Sequence, residues 1–424
     1  MDVTDIEIVK PSVTVISNSD NTTNWTSSEL AKTPSPQKAT STTSSQLSDE
    51  QWDNLSAITL KSIKIINGQL RIEDSDNKYQ ISDLNFSASQ VNLLKQISYK
   101  LTANVKSQAP QRALLTKIKL NGKLQFDLPN LKKQNIAQAL STEAKLQLPL
   151  FQYNQVLIQN IAANLRYKDN KSEIQLLNSQ LYSGTLAGKL NIEHTKQMLN
   201  TKLSLKSVDI GNLLFALNKT HLVKGKLSSD LTLSSKGETP RDKVQNLNGR
   251  LVLKVDDGFL NYIDLNAILS SLKSIAKQPK NLKSILLSTF KEAKQNKNYG
   301  KSSTPFDFLT AIINIKNGEA FTNNLKIHTK QLELQGGGKI SLIREYLDLQ
   351  LKLGANQTDS FYKSLFKNIG GYLPVNIKGS MKNPKTEPDF AFLLKQTQKQ
   401  WMKEQNDDIS KAVNKLSKKL PKLF

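Results

Sequence analysis

Residue types that do chemistry are thinly spread in this chain. Its three histidines, His194, His221 and His328, lie far apart, with no partner four residues away and no HExxH context. Such spacing does not bring metal ligands onto one helix face. Asp256 and Asp257 are the obvious candidate acid–base pair. Neighbours on a strand point to opposite faces, however, and with Gly258 the two aspartates suit a chain-reversing turn instead. Gly336-Gly337-Gly338 lacks the Gly-Lys-Ser/Thr ending of a phosphate loop and sits between two strand patterns, which predicts a bulge or a close backbone approach. No serine occupies a GxSxG elbow. Cysteine is absent, which removes disulfides, thiolate metal sites and a cysteine nucleophile. These residues point to no enzyme, no metal and no cofactor.

The elements around them carry organisation instead. In LNGRLVLKVDDGFLNYIDL, residues 247–265, the side chains of Leu251, Leu253 and Val255 alternate with Val252 and Lys254, the period of a strand with one apolar side. Asp264 is placed to cap a helix beginning at Leu265. Comparable alternation recurs from about residue 55 to 388. Ile63 and Ile65 lead to Asn67-Gly68, Ile118 and Leu120 to Asn121-Gly122, and Ile313 and Ile315 to Asn317-Gly318. Asn-Gly between apolar alternations predicts a hairpin at each. Leu347, Leu349, Leu351 and Leu353 give the cleanest alternation of all. Helices are expected at 210–217, 264–294 with a break near Gln278-Pro279, 307–312, 359–369 and 389–420. The fold class expected is mainly β: a long antiparallel curled sheet with a few covering helices and a C-terminal helix.

Composition divides the chain further. Residues 1–16 read as a single residual strand with no partner nearby in sequence. Residues 17–54, rich in Ser, Thr, Asn, Gln and Pro, read as a flexible linker. The β region spans 55–388 and a basic helix 389–424. Net charge is +23, from 59 Lys+Arg against 36 Asp+Glu, which predicts attraction to anionic surfaces. The lysines are spread along the chain and are dense only from Lys411 to Lys422, so ordinary solvation of a large surface explains them equally. No run approaches the ~20 apolar residues of a membrane-spanning helix, and MDVTDIEIVK has neither the basic start nor the apolar core of a signal peptide.

Against this background, Asp257-Gly258-Phe259-Leu260 followed by Ile263-Asp264-Leu265 resembles the C-terminal region of the AsmA family, with Tyr262 where that family has glycine. Ser207-Val208-Asp209-Ile210 with Leu213-Leu214, then Gly225 and Gly237, then Thr304 and Phe306, follow the family order. So do Gly318, Leu325, Gly336, Gly338 and Leu342. The closing stretch Tyr372 to Gly379, with Pro374, Asn383-Pro384 and Pro388-Asp389, is similar to the family's ending. Further upstream, Ile63 to Asp74 is similar to its midway hairpin. The resemblance implies a periplasmic protein held at the inner membrane of a Gram-negative envelope, a curled sheet with a hydrophobic groove, and a part in phospholipid transport and outer-membrane assembly. It implies no catalytic residues. The family's N-terminal anchor and first half have no counterpart here, so the chain looks like the C-terminal portion of such a protein.

Leu251, Leu253, Val255, Leu347, Leu349, Leu351 and Leu353 are the residues expected to line the apolar side. That side is either the core of a closed sandwich or an open trough for the acyl chains of a phospholipid or another envelope lipid; alternation alone does not choose. The first alternative makes the chain a structural envelope protein that binds partners, such as outer-membrane assembly components, without conducting lipid. Lys411, Lys415, Lys418, Lys419 and Lys422 either meet anionic headgroups or are a solvated cap. Aromatic residues are not interleaved with the basic ones as on a single-strand nucleic-acid platform, so nucleic acid is not an expected partner.

Overall fold

Alternation of apolar and polar residues over ten to fifteen positions makes long strands, and long strands are what the chain forms. The computed structural model describes residues 5–17, 24, 47–73, 78–109, 112–133, 135–218, 221–261, 265, 270, 303–356, 360–367, 370–382, 384–389, 392, 395–396 and 399. The chain divides into two units, one of Met1–Val208 with Thr232–Thr239, the other of Asp209–Leu231 with Pro240–Phe424.

The first unit holds strands β1 (Asp5–Val9), β2 (Ser12–Ile16), β3 (Leu60–Glu73), β4 (Lys78–Val91), β5 (Ile97–Ala109), β6 (Arg112–Phe126), β7 (Leu140–Tyr153), β8 (Val156–Lys168), β9 (Lys171–Leu181), β10 (Gly184–Glu193) and β11 (Met198–Asp209), and short helices α1 (Asp49–Ala57), α2 (Leu128–Lys132) and α3 (Ile136–Ala139). From β3 to β11 each strand pairs antiparallel with the next. β1 and β2 both run parallel to β3, on its free side. The first and last of these strands do not pair, so the meander is not closed into a barrel.

The second unit holds α4 (Ile210–Asn218), the start of β12 (Val223–Lys236), α5 (Pro240–Gln245), β13 (Asn248–Asn261), β14 (Ser303–Lys316), β15 (Glu319–His328), β16 (Leu332–Ser341), β17 (Tyr346–Ala355), α6 (Ser360–Lys367), β18 (Leu373–Ser380) and β19 (Lys385–Pro388). From β13 to β19 it is again a meander of antiparallel neighbours.

Strands this long keep one apolar face only because several change parity midway. In β3 the inward set is Ile63 and Ile65, then Gly68, Leu70 and Ile72. Between them sits Asn67 at φ 54°, where the register with β4 shifts by one residue. Asp83 of β4 (φ 50°) answers with the opposite shift, which restores the register beyond it. Asn160 in β8 (φ 51°) does the same work against β9. Each is a bulge: one extra residue re-aims every side chain that follows. Asp257 in β13 (φ 50°) stands between the buried Val255 and Gly258 and changes the strand's parity with no shift against β14. Asn and Asp suit the position because they tolerate left-handed backbone.

Asp256-Asp257-Gly258 is therefore not a turn; β13 runs through it to Asn261. Asn67-Gly68 and Asn121-Gly122 likewise lie inside β3 and β6 rather than in hairpins. Asn317-Gly318 is a two-residue hairpin turn, with both residues at positive φ (51° and 75°), and Asp169-Asn170 and Tyr182-Ser183 form the same turn type. The helix expected at 307–312 is part of strand β14. The helices expected at 210–217 and 359–369 appear as α4 and α6. The single strand expected over residues 1–16 is two strands broken at Lys10-Pro11, and the segment expected as a linker over 17–54 ends in α1, where Ser48 and Gln51 form a capping box. Gly336, Gly337 and Gly338 form the close approach expected of them. A Cβ on any of the three would strike the carbonyl oxygen of a neighbouring strand, that of Gln350, Thr322 or Asp348.

Deleting Asn67 should swing Gly68, Leu70 and Ile72 to the polar face and cost at least about 2 kcal/mol, since burying one Leu or Ile contributes ~1.5–3 kcal/mol. Asn67→Gly, which accepts the same φ, should leave stability nearly unchanged. Denaturant unfolding of both variants measures the difference.

Candidate functional site

The register of the first unit aligns its apolar residues across the strands. Ile65 opposes Phe86, then Leu101, Leu120, Leu146, Ala163, Leu176, Gly188 and Leu203 follow in a single cross-strand row from β3 to β11. One step along the strands, Ile63, Ala88, Tyr99, Gly122, Ala144, Leu165, Ile174, Leu190 and Thr201 form a second row. Phe86 and Tyr99 stack diagonally between the rows, ring centroids 6.3 Å apart. The small residues Ala88, Ala144 and Ala163 are buried, whereas every Leu, Ile and Phe of the two rows stays half-buried. Rows of side chains neither covered nor fully open are what a one-sided sheet presents where, among the described residues, no second layer packs across it.

Helices α1, α2 and α3 close one end of these strands. Antiparallel alternation brings the start of β3, the β4–β5 and β6–β7 connections and the end of β8 to that end. The Asn92 side chain donates to the carbonyls of Ser56 and Ile58, both at 3.0 Å. The Tyr167 hydroxyl donates to the carbonyl of Ala137 at 2.7 Å. Lys132 of α2 pairs with Asp49 of α1 at 2.8 Å. That hydrogen bond, reinforced by the lysine's charge, holds the Asp49 carboxyl below its ordinary pKa and raises that of Lys132. A lowered carboxyl contributes stability that is present above the ordinary Asp value and is lost as pH falls from there through the lowered one; the pair is solvent-exposed, so that contribution is small.

In the second unit the same strand pattern meets a different fate. Leu347, Leu349, Leu351 and Leu353 all point to one face and are buried, Leu353 to 0% exposure. They oppose Val375, Ile377 and Leu373 of β18 and the glycines and Leu334 of β16. Helix α6 packs on β17, and its Phe366 is 2% exposed. Val255 is fully buried and Leu251 and Leu253 half-buried. The four leucines of β17 thus lie in a covered core, and the β13 residues Leu251, Leu253 and Val255 range from half-buried to buried. The half-open surface is in the first unit, on residues the alternation revealed as strands but did not single out.

The motif residues have structural tasks. Gly258 directly opposes Phe306, and a Cβ there would strike both the Phe306 ring and the Lys224 carbonyl. The Thr304 hydroxyl, 4% exposed with its residue, accepts from the Leu265 N–H at 3.1 Å. Asp389 accepts from the Phe392 N–H at 3.0 Å, and Tyr372 stacks on Phe392 at 5.2 Å. Pro374 lies in β18 and its carbonyl accepts from Asp389; Gly379, at φ 120°, lies near the end of that strand; Pro384 is buried before β19; Gly338 lies in β16. Tyr262, Asp264 and the lysines from Lys411 to Lys422 lie outside the described residues.

The histidines remain apart. His194 shares a hydrogen bond with Ser172 at 2.8 Å, His221 stacks on Phe215, and His328 meets Asp307 at 3.1 Å. Among the described residues no group of three potential ligands converges, and no helix is long and apolar enough to cross a membrane. The sequence model of the AsmA family matches residues 145–325, which run from β7 to β15. No curated protein and no solved structure matches the chain.

Leu351→Ala should cost about 2–5 kcal/mol, the range for a buried leucine, and Leu351→Asp should unfold the second unit. Leu120→Asp, on the half-open face, should leave the far-ultraviolet circular dichroism and the thermal midpoint close to those of the parent chain.

Proposed function

We propose, starting from the AsmA match over residues 145–325, that this is a non-enzymatic protein of the cell envelope. Its half-open apolar face shields lipid acyl chains in support of phospholipid transport and outer-membrane assembly. The observation that carries the reading is the unbroken cross-strand row from Ile65 to Leu203, whose large side chains remain half-buried. An acyl chain laid along it is removed from water at about 0.8 kcal/mol per CH₂, and no polar group has to be desolvated to admit it. The periplasmic side of the inner membrane is the location this reading carries, and the lysines of the C-terminal segment are its candidate contact with anionic headgroups.

A second reading is favoured by the buried stripe of β17. There the sheet is a structural core, and the envelope role is to bind other proteins without conducting lipid.

Purified chain, extracted and analysed by mass spectrometry, decides between them. Co-purifying phospholipid, photocrosslinked from a probe at Leu120 or Phe86 and not from one at Lys119, supports the acyl-chain reading. The double variant Leu120→Asp/Leu146→Asp should remain folded and lose most of the bound lipid. Lipid-free protein with no crosslink at either apolar position would sink this reading in favour of the structural one.

A further inference from the structure

The polar face of the first unit has its own register. Lys64, Ser87, Lys100, Asn121, Lys145, Asn164, Gln175, Lys189 and Lys202 are successive cross-strand partners from β3 to β11. That row contains cations, amides and one hydroxyl, and no acid. At the usual strand spacing it is on the order of 40 Å long. Among the described residues Lys64, Lys100, Lys145 and Lys202 make no ion pair, while Lys189 is held by Glu173 at 2.7 Å. Lys189 and Lys202 oppose each other directly; Glu173 offsets part of this like-charge cross-strand repulsion by pairing with Lys189.

The polar face is concave along the middle of this row, from Asn121 to Gln175, and beside its later end. A depression of about 610 Å³ is lined by Asn121, Lys145, Asn164 and Gln175 of the row and by Glu143 and Arg166 beside it. A second, of about 300 Å³, shares Arg166 and Glu173 with it and continues towards Asn191 and Asn200. The neighbouring row of Lys123, Glu143, Arg166 and Glu173 is charge-balanced, with Arg166 paired to Glu143 at 3.3 Å.

We propose that this face is a binding track for a linear anionic glycan. Lysines spaced along the row meet carboxylate or phosphate groups. The amides between them, and the carboxylates of Glu143 and Glu173, exchange hydrogen bonds with sugar hydroxyls. A flat bilayer surface does not reach into a depression and has no use for the intervening amides. A single-stranded nucleic acid requires aromatic platforms, and the row has none.

The test titrates the full chain with an oligogalacturonate at physiological salt, against a neutral chitooligosaccharide, single-stranded DNA and phosphatidylglycerol vesicles. We expect saturable, salt-sensitive binding of the acidic glycan above the neutral one. It should weaken roughly tenfold in K100Q/K145Q/K202Q, since each exposed ion pair is worth only a fraction of a tenfold change or slightly more. It should be unchanged in K316Q/K339Q/K363Q, which removes the same charge from the second unit. Circular dichroism checks that both variants fold. The proposal is overturned by absence of saturable glycan binding or by equal loss in the two variants. Binding of DNA or vesicles that is tighter than that of the glycan and falls in the first variant also overturns it, and assigns the row to those partners. Lipid co-purification plays no part in the readout, so this inference and the acyl-chain reading fail separately.

Discussion

A strand of ten to fifteen residues can keep one face apolar only if its side-chain parity stays locked to the sheet while the sheet twists and bends. That constraint organises this protein. A perfectly regular strand has no way to absorb local curvature without straining its ladder. Here an extra residue is inserted at Asn67, Asp83 or Asn160, each with positive φ, and the neighbouring strand answers or absorbs the shift; Asp257, also at positive φ, changes parity in β13 with no shift against β14. The cost is a residue in a sparsely populated backbone region and a locally broken ladder. The gain is that Ile65 and Leu70, or Val255 and Leu260, end on the same side although each pair is five positions apart, an odd step that regular alternation would send to opposite faces.

The same device explains which parts of the fold were legible in the sequence. The strand from Leu347 to Leu353 was legible because β17 contains no bulge and its alternation is unbroken. In β13 the alternation was legible as far as Val255 and was then lost, because the chemistry that permits a bulge, Asp or Asn followed by Gly, is also that of a turn. Asn67-Gly68 and Asn317-Gly318 are the same dipeptide, one inside a strand and one between two. Only the partner strand, remote in sequence, decides which. A change of parity also puts a single step of three into a period of two. Phe306 and Leu309 are buried on one face at that spacing, which is why residues 307–312 imitated a helix. The candidate surface was legible as strands but not as a site. Its rows exist only after registers spanning β3 to β11 are known.

The two units use one strand grammar and differ in what lies over the apolar side. In β16 to β18 the glycines at 336–338 let the backbones approach closely, leucines fill the space at nearly zero exposure, and α6 contributes Phe366. In the first unit the helices gather at one end and leave the rows between β3 and β11 half-buried. Exposed apolar area carries a free energy of roughly 25 cal/mol per Å². A row of half-covered leucines is therefore a standing attraction for any apolar partner long enough to lie along it, while the core around β17 has none left to offer.

Pleating ties the two faces of the first unit together. Lys64 stands between Ile63 and Ile65, Lys100 between Tyr99 and Leu101, Lys145 between Ala144 and Leu146, and Lys202 between Thr201 and Leu203. The register that aligns the leucines on one side therefore aligns the lysines on the other, and no slip could disturb one row and spare its reverse. Selection on the apolar row for packing or binding would fix where the cations stand but not that they are cations. Serine or glutamate at those positions would satisfy the sheet equally, and a mixture of both signs would satisfy it better. The acid-free composition of that row is not something the fold requires: pleating fixes where these residues stand but not their charge, and Glu173 of the neighbouring row answers Lys189.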